Sequence, residues 1–117
     1  MKKNTTNNWL SALEKISGST RISRFTQNPW KYLTAMAIKK IYFPLFHKSI
    51  PVTIPTFFGF KLKVNLPSGT DIYLTGTKTH PSELRLSKFL IQHLQPGQNF
   101  ADIGAHFGFY SLLAKAL

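Results

Sequence analysis

The chain has 117 residues, enough for one small domain, and an apolar fraction of 43% that can supply a core. It has no cysteine, which excludes disulfide staples, thiolate metal sites and cysteine nucleophiles. Fifteen basic residues against four acids give a formal charge of +11; residues 1–50 hold nine basic groups and one acid, Glu14, which points to an anionic surface near the N-terminus.

Lys2 and Lys3 are followed by the polar stretch NTTNN, where a secretory signal would need an apolar core. Trp9, Leu10, Leu13 and Ile16 recur at helical spacing and predict a short amphipathic helix closed by Gly18. NPWKYLTAMAIKKIYF predicts a second helix, with Pro29 at its start, Trp30, Leu33, Ala37 and Ile41 on one side, and Pro44 as its stop. Trp30 to Phe46 is the most apolar window. Lys31, Lys39 and Lys40 interrupt it, and it falls short of the roughly 20 apolar residues of a membrane span. Two readings of the basic leader 1–49 stay open. It packs on its own domain, or it docks on an anionic membrane with its aromatics in the apolar layer and its lysines on headgroups. The second would place a cytoplasmic protein at the inner membrane face. A small basic nucleic-acid-binding module is a further alternative, but no DNA- or RNA-binding signature accompanies the charge.

The texture changes at Ile50. Phe60, Leu62, Val64 and Leu66 alternate with Lys61, Lys63 and Asn65, the period of a half-buried strand. Strands are expected at 52–58, 60–66 and 71–75, the last closed by Gly76, as an antiparallel meander. A helix follows, capped by His80 or Thr79, with Pro81 at its first position and Glu83 in its first turn. Its expected apolar stripe is Leu86, Phe89, Leu90, His93 and Leu94, and Gln95-Pro96-Gly97 ends it. NFADI then predicts a short strand, and Phe107 to Leu117 a helix that is apolar nearly all round and should be buried. Strand, glycine loop and helix in that order predict an α/β fold.

The loop is Asp102-x-Gly104-x-x-x-Gly108. Glycine permits a tight turn and lets a ligand reach the main chain without meeting a Cβ, while the free amides of the following helix point toward that ligand. In open α/β sheets this crevice holds cofactors. The dinucleotide fingerprint would need glycine at position 106, where His106 stands, and the preceding Asp102 would repel a pyrophosphate. On the motif alone, an ordinary strand-turn-helix connection remains open.

QPGQNFADIGAHFGFYSLLAKA resembles the first motif of class I S-adenosylmethionine-dependent methyltransferases, and is particularly similar to that of the FkbM family. The Asp71-Ile72-Tyr73-Leu74 segment, the His80-x-x-Glu83 element and a helix ending in Leu-x-Pro-Gly precede it in the family's order. The resemblance spans roughly residues 50–117. It implies a Rossmann-like sheet and S-adenosylmethionine as cofactor. Asp102, Ile103, Gly104 and Ala105 would wrap the methionine part, with Gly108 allowing close approach and Tyr110 and Ser111 seating the helix. Glu83 would face the cofactor's charged end, or simply cap its helix. His106 departs from the family's usual asparagine; imidazole is bulkier and titratable, although both side chains donate hydrogen bonds.

The implied reaction is methyl transfer to a hydroxyl of a sugar, glycan or specialised metabolite, with no catalytic residue identified. A ribose-gripping acid is expected about 20 residues past such a loop, beyond Leu117. The chain therefore reads as a truncated, inactive beginning of a methyltransferase. His47, His80 and His93 have no ligand-spaced partners, so no metal site is expected.

Overall fold

In a computed structural model that describes residues 2–117, the apolar spacing of the first segment becomes helix α1 (Lys2–Ser17). Leu13 is fully buried, with Trp9 and Leu10 packed beside it, and the Gly18 amide closes the helix on the Glu14 carbonyl at 3.0 Å. A further short helix, α2 (Arg21–Gln27), lies between the two predicted helices. Its cause is local: Thr20 and Ser23 form a reciprocal capping box, at 3.1 and 3.0 Å. Arg24 ties it back to α1, donating from Nε to the Ser19 hydroxyl at 2.8 Å and from Nη2 to the Ile16 carbonyl.

Asn28 caps α3 (Pro29–Ala37), with Pro29 in the first turn as expected. Pro44 does not end this helix. One wide π turn, Ile38–Tyr42, carries the chain into α4 (Phe43–Phe46), which contains Pro44. The π turn resets the hydrogen-bond ladder, with the Phe43 amide donating to the Ile38 carbonyl, so proline enters a new first turn where its missing N–H costs little. The stop is His47, left-handed at φ 50°, whose amide reaches the Phe43 carbonyl at 2.8 Å.

The fold is mixed α and β, with one two-stranded antiparallel sheet. Strand β1 (Ile50–Pro55) pairs with β2 (Lys61–Leu66) in a register that sets Ile50 against Leu66 and Pro55 against Lys61. The alternation in β2 is as predicted: Leu62, Val64 and Leu66 are buried, Lys61, Lys63 and Asn65 exposed. β1 ends three residues early because Thr56 turns the chain, accepting none of the strand's extension; its amide and hydroxyl both donate to the Phe60 carbonyl. That turn drives Phe57 and Phe58 into the core.

The expected third strand, 71–75, is instead helix α5 (Thr70–Thr75), so there is no meander. Its residues favour strand by type, but they also make local helical bonds: the Thr75 hydroxyl donates to the Asp71 carbonyl at 2.8 Å, and Asp71 Oδ1 accepts from the Ile72 amide. Gly76 ends the segment as expected, in the left-handed conformation.

Helix α6 (Pro81–His93) starts where predicted, with His80 as its cap and Pro81 at its first turn. Its buried face is Leu84, Ser87, Leu90 and Ile91, whereas Leu86, Phe89 and His93 of the expected stripe are exposed. Packing against α1 selects that face. Residues 99–103 form no strand, a correction to the expected NFADI strand: the segment has no neighbouring strand with which to share a ladder. Helix α7 (Phe109–Ala116) closes the core with Phe109, Tyr110 and Leu113, and is amphipathic rather than apolar all round, with Ser111 and Lys115 exposed. Among the described residues no helix is long and apolar enough to cross a membrane.

Candidate functional site at the head of helix α7

Four of the first-turn amides of a helix lack intrahelical acceptors, and the residue at the cap of α7 is Gly108, which has no side chain to offer. Asp102, six residues upstream, supplies the acceptor. Its Oδ2 takes hydrogen bonds from the Ser111 amide at 3.1 Å and the Ser111 hydroxyl at 2.8 Å. A carboxylate is also the favoured charge at a helix N-terminus. The loop is thereby pinned at both ends, at Asp102 and at α7.

Between those ends the backbone turns left-handed three times: Gly104 at φ 71°, His106 at φ 54° and Gly108 at φ 78°. A Cβ built on either glycine would meet nothing within 4 Å, so both main-chain positions are open to an approaching ligand. Asparagine and histidine are the side chains, with aspartate, that enter this region most readily. His106 is thus of a residue type suited to its left-handed φ. Ile103 is 97% exposed, its side chain directed away from the protein body, and Ala105 is half-buried.

Glu83 is not a free carboxylate. The Tyr110 hydroxyl donates to its Oε2 in a very short contact and to its backbone carbonyl at 3.1 Å. Lys78 lies 3.8 Å from the same carboxylate and 5.0 Å above the Tyr110 ring. Tyr110 therefore joins α7 to α6, the seating role expected for it. Burial holds its phenol above the ordinary tyrosine range, and the hydrogen bond and charge of Glu83 add to this.

This linkage has a pH signature. Below the ordinary tyrosine pKa of 10.0 the phenol is neutral in both folded and unfolded chains and contributes no pH dependence. Above it the unfolded chain releases the proton while the folded chain retains it, so stability falls with rising pH. Tyr110→Phe is expected to remove that part of the fall. Urea denaturation of both proteins from neutrality to beyond the tyrosine range measures it, and identical alkaline slopes would exclude the buried hydrogen bond.

An open cleft of about 540 Å³ lies between the turn after α6 and the outer face of α7, with Asp102, Ser111 and Lys115 on its wall. Of the residues expected to hold the cofactor, only Asp102 lines it; Gly104, Ala105, His106 and Gly108 lie on the loop beside it, and Glu83 is turned to Tyr110. The pairing of Asp102 with Ser111 and of Glu83 with Tyr110 could not be read as a pattern, although all four residues stand in the quoted motifs. Among the described residues no group of His, Asp and Glu is placed to hold a metal ion. No protein-family model, curated protein or solved structure matches the chain.

Proposed function

We propose that residues 50–117 carry the cofactor-binding beginning of an S-adenosylmethionine-dependent methyltransferase of the FkbM type, acting on a hydroxyl of a sugar, glycan or specialised metabolite. The observation behind this reading is the open, left-handed Gly104–Gly108 loop, pinned by Asp102 to the first turn of α7. Glycine at both left-handed positions permits the bend, and the space where their side chains would stand leaves the main chain open to a ligand. In this reading α7 is the helix that follows the glycine loop of a Rossmann-like domain.

S-adenosylmethionine would supply the methyl group that the acceptor oxygen attacks. The part of this chain is to bind and orient. Gly104 and Gly108 admit the ligand to the main chain, the amides between them donate, and Asp102 fixes the loop against α7 before any ligand arrives. Glu83, held through Oε2 by Tyr110 and Lys78, would face the cofactor's charged end with its other carboxylate oxygen.

Addition of S-adenosylmethionine is expected to shift the backbone amide resonances of Gly104, Ala105, His106 and Gly108. Gly104→Asn tests the open space: asparagine tolerates φ 71°, so the fold should survive, while its side chain fills the approach and weakens binding by roughly tenfold or more, about 1.4 kcal/mol. Loop resonances that stay fixed to millimolar cofactor, or that respond equally to a dinucleotide, would overturn the proposal.

A further inference from the structure

The face of α3 and its extension that the sequence marks as apolar points into solvent. Trp30 is 80% exposed, Leu33 49%, Ile41 62% and Leu45 69%. With the exposed Ala37 they run at spacings of three, four, four and four along the continuous helical stretch from Pro29 to Phe46. The opposite side holds the helix to the protein: Ala35 is buried, Tyr32 meets Phe25 edge to face, and Lys31 lies 4.7 Å above the Tyr73 ring of α5. Among the described residues, eight of the thirteen exposed large hydrophobic side chains fall between Ile22 and Phe46. Scattered singly such residues need no explanation, but a stripe of this length does.

The charge around the stripe selects its occupant. Between Glu14 and Asp71 the sequence contains no acid at all and nine basic residues. Lys39, Lys40 and Lys48 are exposed within or just beyond the helical stretch. A second copy of a chain carrying +11 would be repelled. A nucleic acid would pair its phosphates with the lysines, but it offers nothing to Leu33, Ile41 and Leu45. An anionic bilayer offers headgroups to the lysines and acyl chains to the aliphatic residues, with tryptophan at the boundary. We propose that the helical stretch 29–46 lies in the plane of an anionic membrane surface, its Trp30–Leu33–Ile41–Leu45 stripe in the acyl layer and Lys39, Lys40 and Lys48 at the headgroups. This inference does not depend on the methyltransferase reading.

The test is co-sedimentation of the intact chain with phosphatidylcholine vesicles, with and without phosphatidylglycerol, at low and high salt. Binding is expected to the anionic vesicles, with a blue shift of the Trp30 emission. Ile41→Glu with Leu45→Glu, both at exposed positions, should weaken it by more than tenfold without changing the unfolding midpoint. Lys39→Gln with Lys40→Gln should weaken it by roughly twenty-five-fold, since each juxtamembrane lysine contributes about a factor of five. Failure to bind anionic vesicles would overturn the proposal. So would binding that oligonucleotides abolish and that the Glu variants leave unchanged, or a self-association that those variants dissolve in the absence of any vesicle binding.

Discussion

Phe109→Ala is expected to cost about 3–5 kcal/mol of folding stability, the range for a buried phenylalanine cut to alanine. Phe109 is fully buried, and its ring lies 5.7 Å from Phe58 and 6.3 Å from Phe57, the two residues at the tip of the hairpin. Phe58 in turn meets Trp9 of α1 at 6.1 Å. Phe109 therefore joins α7 to the hairpin, and Phe58 joins the hairpin to α1. Domains of this size hold only about 5–15 kcal/mol in total, so its loss should leave the chain partly unfolded at room temperature. Urea denaturation measures it, with Phe89→Ala as the reference, because that ring is 55% exposed and its removal should change stability by less than about 0.5 kcal/mol. Equal midpoints for the two variants would mean that α7 is not docked on the hairpin.

The elements legible in the sequence are those whose cause is local. The alternation survives over 61–66, where one face of β2 is buried along its whole length, but not at Phe60, which precedes the strand and is exposed. The start of α6 is fixed by a cap and a proline within two residues of each other, and no distant packing is needed to place it. Where two faces compete, local reading fails. Helix α6 carries one stripe through Leu84, Ser87 and Ile91 and another through Leu86, Phe89 and His93; the second has the larger side chains, but the first is the one that meets α1. The same holds at 71–75, where strand-favouring residues lie between a turn at Gly69 and the bonds of Asp71, and the backbone closes into a helix. Pro44 reads as a stop because the π turn that accommodates it leaves no mark in composition. In the glycine loop the residues were identifiable but their engagements were not. Asp102 and Ser111 are nine positions apart and Glu83 and Tyr110 twenty-seven, separations with no helical or strand period.

Gly76 and Gly69 should both resist substitution, for different reasons that a double-mutant cycle separates. Gly76 has φ 76°, and a Cβ there would come within 3.2 Å of both the Phe57 amide nitrogen and the Pro55 carbonyl oxygen. Those atoms are backbone held in place by the hairpin, and the Phe57 amide itself donates to the Gly76 carbonyl at 3.1 Å. Gly76→Ala therefore meets a left-handed penalty of about 1–2 kcal/mol as well as a contact that cannot relax, for a total of about 2–3 kcal/mol. Gly69 carries no such backbone penalty, but its Cβ would stand 2.8 Å from the Cβ of buried Val64. Overpacking of this kind costs about 1–3 kcal/mol; alanine at position 64 would keep the Cβ contact and remove only Cγ2, which would stand 3.0 Å away. Val64→Ala should thus recover part of the cost of Gly69→Ala, a favourable coupling of about 1 kcal/mol, while leaving that of Gly76→Ala unchanged. Unfolding midpoints of the singles and the two double mutants decide it. Additivity at Gly69 would mean that the Val64 Cγ2 contact takes no part in its cost, and rescue at Gly76 would mean that its cost comes from the core rather than from the backbone of the hairpin.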